Sequence, residues 1–124
     1  MNRPLAVVTG TMLCALAFAG RAPAAEQFQK LSGAQVRAKL AGMEFSDGVH
    51  WRDVFERNGV LTGYSMGRKS VGKWSVHKDQ LCLDRGQEPG SGCYDVWLSG
   101  NKVELRAGSG LPLEGVLQKA SGGR

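Results

Sequence analysis

Between residues 72 and 105 apolar and polar side chains alternate with a period of two. Trp74, Val76, Leu81, Leu83, Tyr94, Val96, Leu98, Val103 and Leu105 mark the apolar phase. That period belongs to strands with one buried face. The breaks in it carry turn residues. Gly100-Asn101, with glycine first, suits a type II′ turn and sets Leu98 against Val103 and Val96 against Leu105. A loop at His77-Lys78-Asp79-Gln80 sets Val76 against Leu81 and Trp74 against Leu83, and pairing Cys82 with Cys93 then places Leu81 opposite Tyr94. All three registers put the apolar residues on a single face. A slip of one residue would turn any strand's set outward, so their agreement specifies the pairing.

Asn58-Gly59 reads as a further tight hairpin of type I′, whose two central residues both need positive φ. Pairing Arg57 with Val60 puts Phe55 opposite Thr62, Asp53 opposite Tyr64 and Trp51 opposite Met66. Asp53 then stands on an apolar face, where a carboxylate must be hydrogen-bonded or sit at the rim of a cavity. The Tyr64 hydroxyl, Ser75 and Arg52 are its candidate partners. If the sheet curls, Trp51, Asp53, Phe55, Tyr64 and Trp74 form a candidate ligand pocket.

One helix precedes the strands. Ser32 is placed to cap residues 33–41 with Gln35 three positions on, Val36 and Leu40 mark one face, and Gly42 suits the C-terminal end. The expected fold is therefore mainly β: an antiparallel meander of about seven or eight strands, forming a small sandwich or partial barrel and preceded by one short helix. Residues 25–120 make one β-rich domain, and 121–124 a frayed tail.

The first 24 residues read differently. A basic start at Arg3, an uncharged apolar run over 5–19 and the small residues of Arg21-Ala22-Pro23-Ala24 have the layout of a signal peptide cleaved near Ala24. The run is shorter than the roughly 20 residues that span a bilayer, so no transmembrane segment is expected in the mature chain. The protein is expected to be periplasmic or secreted. Without Arg3 and Arg21 the net charge falls from +5 to +3, and no arginine-rich run or aromatic pair on a basic strand points to nucleic acid.

In such a compartment Cys82 and Cys93 read as a disulfide, worth on the order of 2–3 kcal/mol in the chain-entropy model. With only His50 and His77 besides the thiols, no zinc-type spacing appears, and neither metal nor cofactor is expected. The pairing arithmetic puts both cysteines on the outer face with Asp84, Asp95, Trp97 and Glu104. Trp97, beside the disulfide, together with the basic loop residues Arg68 and Lys69 and nearby Lys73, is the candidate interaction surface.

The residues Gly72, Trp74, Asp79, Leu81, Cys82, Cys93, Tyr94 and Val96 form a G-x-W strand, a D-x-L-C strand and a C-Y-x-V strand. In this the chain resembles a group of small exported proteobacterial proteins of uncharacterised function, a likeness that covers most of the mature chain and implies no activity. It is more weakly similar to periplasmic inhibitors of bacterial metalloproteases, small disulfide-containing β-barrels. That likeness implies an inhibitory N-terminal segment, here residues 25–30. The G-x-W strand is also lipocalin-like.

The expected function is that of a small non-catalytic binding module of unknown ligand, its partner a small apolar molecule or an envelope protein. A protease-inhibitor-like module, or one that binds another envelope protein, is the alternative. A hydrolytic enzyme is the third reading, for which the chain has no Ser-His-Asp set, G-x-S-x-G elbow or phosphate loop.

Overall fold

The alternation seen in the sequence closes on itself in space. The computed structural model describes residues 2, 4–7, 10 and 27–121; most of the leader expected over 1–24 lies outside them. A two-residue strand, β1 (Gln29–Lys30), leads into α1 (Gly33–Leu40). Eight strands follow: β2 (Met43–Ser46), β3 (Trp51–Phe55), β4 (Val60–Ser65), β5 (Arg68–His77), β6 (Gln80–Asp84), β7 (Gly92–Ser99), β8 (Lys102–Arg106) and β9 (Leu113–Lys119). Every pairing is antiparallel. The order β7-β6-β5-β4-β3-β2-β9-β8, with β8 paired back to β7, makes a closed eight-stranded barrel. Closure leaves none of these strands as a free edge. Eight strands enclose an interior just wide enough for side chains to fill, or to hold one small ligand.

Three registers match the sequence arithmetic: Trp74 opposite Leu83, Cys82 opposite Cys93 and Leu98 opposite Val103. The β5–β6 connection is tighter than expected. Lys78 and Asp79 both take positive φ, so the loop has two residues and His77 pairs with Gln80.

The β3–β4 hairpin departs from expectation. Glu56 N–H donates to the Val60 carbonyl and Gly59 N–H to the Glu56 carbonyl. Gly59 alone takes positive φ, +88°, and Asn58 uses its side chain to accept from Val60 N–H. This is a three-residue loop with a glycine bulge, not a two-residue I′ turn. The register shifts by one, so Asp53 faces Gly63, Arg52 faces Tyr64 and Trp51 faces Ser65. Trp74 holds the loop from β5: its backbone N–H donates to the Gly59 carbonyl and its indole N–H to the Glu56 carbonyl, at 2.9 and 2.8 Å.

The two ends of the barrel differ. At the end bearing the β5–β6 turn, α1 lies across the opening. Ser32 and Gln35 form a reciprocal capping box, Gly33 N–H donates to Asp79 Oδ1 at 2.6 Å, and Arg37 reaches the Val76 carbonyl. Val36 and Leu40 plug the interior and join Phe45, Phe55, Leu61, Leu81, Val96, Val103 and Leu105 in one core. Helix hydrophobicity spent here buries a surface the strands could not cover themselves. At the other end, loops 47–50, 66–67, 85–91 and 107–112 surround an open mouth. Gly72 lies toward that end, where the Asp84 carbonyl comes so close that no Cβ would fit. Among the described residues no helix is long and apolar enough to cross a membrane.

Candidate functional site at the barrel mouth

Strand alternation turns Asp53 inward between Trp51 and Phe55, as the sequence implies. Its partner is none of the expected ones. Arg85, at the root of loop 85–91, reaches across the mouth and binds both carboxylate oxygens, Nη1 to Oδ1 at 3.0 Å and Nη2 to Oδ2 at 2.6 Å. The side chains are only 15% and 7% exposed, so this is a desolvated, two-pronged ion pair of the strong kind. The hydrogen bonds to Asp53 raise the Arg85 pKa, against the opposing pull of burial.

The loop is built to aim Arg85. Arg85 N–H donates to Ser91 Oγ, Gly86 N–H to Asp84 Oδ1, and the Tyr94 hydroxyl to the Gly90 carbonyl. Gly90 has φ +98°, and its backbone passes so close to the guanidinium that a Cβ would lie 3.1 Å from Nε. The Cys82–Cys93 disulfide joins the strands that feed this loop.

Above the ion pair lies a cleft of about 380 Å³, bounded by Trp51, Tyr64, Ser70, Glu88 and Leu113. The strand positions beside Asp53 carry small residues, Gly63 and Ser70, and at Gly63 a side chain would already be crowded. A Cβ on Gly63 would stand 2.7 Å from Ser70 Oγ and 3.2 Å from Asp53 Oδ1, with Arg85 Nη1 at 3.9 Å. Acceptor, donor and hydroxyl thus converge on one point. Charges cancel in pairs, since Glu88 at the rim meets Arg68 at 3.7 Å. Around the opening Val49, Met66 and Leu111 are 82%, 76% and 98% exposed, each on a different loop.

Of the five pocket residues expected from sequence, Trp51, Asp53 and Tyr64 line this cleft. Tyr64 does so from the barrel wall: the shifted register pairs it with Arg52, whose guanidinium sits 3.9 Å over its ring. It does not bind Asp53. Phe55 lies below in the core, with half-buried Trp74 packed on it edge to face at 5.6 Å. Trp51 packs likewise on Phe45 at 5.0 Å.

The expected interaction surface divides. Trp97 is half-buried under the Arg106 guanidinium, 4.2 Å from its ring, and neighbours β1. Asp95 separates it from Cys93, a gap of about 13 Å at the usual strand rise. Arg68 and Lys69 begin β5 instead of forming a loop, and alternation turns them to opposite faces. Arg68 belongs to the mouth rim, while Lys69 and Lys73 share the outer wall with exposed Val71. Segment 25–30 is described from residue 27, and its Gln29 and Lys30 are stitched onto β7 opposite Leu98 and Trp97.

Two further polar groups are organised near the rim. Glu44, buried on the outer wall, accepts from Arg52, Gln118 and Ser121. Asp47 is partly desolvated, which opposes ionisation. The N–H groups of Trp51, Val49 and His50 and the His50 ring outweigh this and hold its carboxyl well below the usual carboxylate range. No group of three or more His, Cys, Asp or Glu among the described residues is placed to hold a metal ion.

Arg85 is not among the site residues that the sequence pattern suggests. A signal for it existed: Leu83 faces inward, so the residue two further on continues on the inner side. No protein-family model, curated protein or solved structure matches the chain.

Proposed function

We propose that this protein is a small non-catalytic binding module of an oxidising, extracytoplasmic compartment, and that it takes a small ligand in the mouth of its barrel. The observation that carries this reading is the asymmetry of the interior. One end is filled by apolar side chains and a helix, while the other keeps a cleft over a buried ion pair. Small sites of this kind combine apolar walls with a few convergent polar groups. The disulfide fits the compartment. A wholly apolar ligand would strip water from the spare Arg85 N–H groups and the Ser70 hydroxyl without replacing its hydrogen bonds, so the ligand has polar atoms of its own. Native mass spectrometry of the oxidised protein, followed by NMR titration, tests this: a small molecule should bind and shift the Trp51 indole and the Gly63 and Gly90 amides. Binding that leaves those signals unmoved would place the site elsewhere.

A second reading, a module that binds another envelope protein or inhibits a protease, draws on the apolar loop tips Val49, Met66 and Leu111. A partner retained equally by a Met66→Ser, Leu111→Ser variant would count against it.

A further inference from the structure

We infer that the mouth recognises a neutral, polyhydroxylated ligand of about one sugar ring. This rests on the mouth being the binding site and names the chemistry it selects. Arg85 uses one N–H of each terminal nitrogen on Asp53, and its guanidinium has five in all. Its remaining donors therefore stand beside a carboxylate that can only accept. Ser70 adds a hydroxyl that does both, and all three groups cluster beside Gly63, within 4 Å of where its Cβ would stand, and line the cleft. Adjacent hydroxyls on a ring also donate and accept side by side, so they complement this set without any proton moving.

Charge decides against the competing ligand classes. An anion would need an uncompensated cation, but Asp53 neutralises Arg85 and Arg68 stands against Glu88. A cation would meet the guanidinium at the floor. A neutral ligand meets neither penalty. Trp51 supplies an apolar wall for the C–H face of a ring, and 380 Å³ lies at the small end of ligand-site volumes.

The test is a 1H–15N NMR titration of the oxidised protein with D-glucose, D-galactose, N-acetylglucosamine, acetate and glycine as separate probes. At least one of the sugars should shift the Trp51 indole and the Gly63 and Gly90 amides saturably, and the other two probes should not. Gly63→Ala puts a methyl group at the point of convergence and should weaken sugar binding at least tenfold. Ser70→Ala, which adds no bulk, should weaken it several-fold with the rest of the spectrum unchanged. Saturable binding of acetate or glycine but of no sugar overturns the ligand class and leaves the site standing. Sugar binding that both variants leave unchanged overturns the assignment of these groups, and silence of the mouth signals toward every ligand tried, including any co-purifying one, overturns the site as well.

Discussion

Arg85 and Asp53, 32 residues apart in sequence, are joined by two hydrogen bonds across the open end of the barrel, at 3.0 and 2.6 Å. The pair is buried, so its value lies in mutual compensation. Arg85→Met leaves a desolvated carboxylate without its cation and should cost about 3–5 kcal/mol in urea denaturation. The double variant Asp53→Leu, Arg85→Met removes both charges and should be markedly more stable than Arg85→Met alone. Two additive losses would show that the pair is not coupled.

Why Arg85 was harder to read than Asp53 has a physical basis. Asp53 breaks an apolar phase inside a strand, and a local violation is visible in sequence. Arg85 stands at a strand's end, and its role depends on which strand lies across the barrel, a consequence of closure. Most of the meander was legible because Trp74, Val96 and their partners must share one face. The β3–β4 register was not, because Asn58-Gly59 serves both a two-residue turn and a bulged three-residue loop. The choice is made by Trp74, whose two hydrogen bonds to Gly59 and Glu56 come from a different hairpin.

That dependence is testable. Trp74→Phe keeps the aromatic contact with Phe55 but removes the indole donor, leaving the Glu56 carbonyl only the hydrogen bond from Gly59 N–H. A loss of about 1–2 kcal/mol is expected, with faster hydrogen exchange confined to the 57–60 loop. Unchanged exchange there would mean that the bulge holds itself.

Gly72 faces the Asp84 carbonyl with no room for a side chain, and the obstacle is backbone. Gly72→Ala should therefore destabilise by about 2 kcal/mol or more and disturb β5–β6 pairing near Lys73 and Asp84. Gly67→Ala, at a turn with open space around it, separates the two effects: its cost comes from φ of +79° alone and should be about 1 kcal/mol. Equal losses in the two variants would refute the close approach.

The 47–50 loop gives a pH signature. Asp47 has a folded-state pKa below its ordinary value of 3.8. A carboxyl lowered on folding stabilises above its unfolded value and loses that contribution as pH falls through the folded one. The Val49, His50 and Trp51 amides should thus stay protected at pH values where ordinary carboxylates, near 4, have taken up protons. An NMR titration of the Asp47 carboxyl carbon checks it; a midpoint at or above 3.8 would contradict the geometry.

The helix across one end of the barrel has a further consequence. Because α1 seals the interior with Val36 and Leu40, the end remote from the cleft is closed by apolar packing. The loops around the mouth have little part in that packing. Exchanging residues such as Ser70, Glu88 or Leu113 should therefore change the preference of the proposed site while the scaffold is left as it was. The barrel is in this sense a socket whose fitting can be recut without remaking the handle.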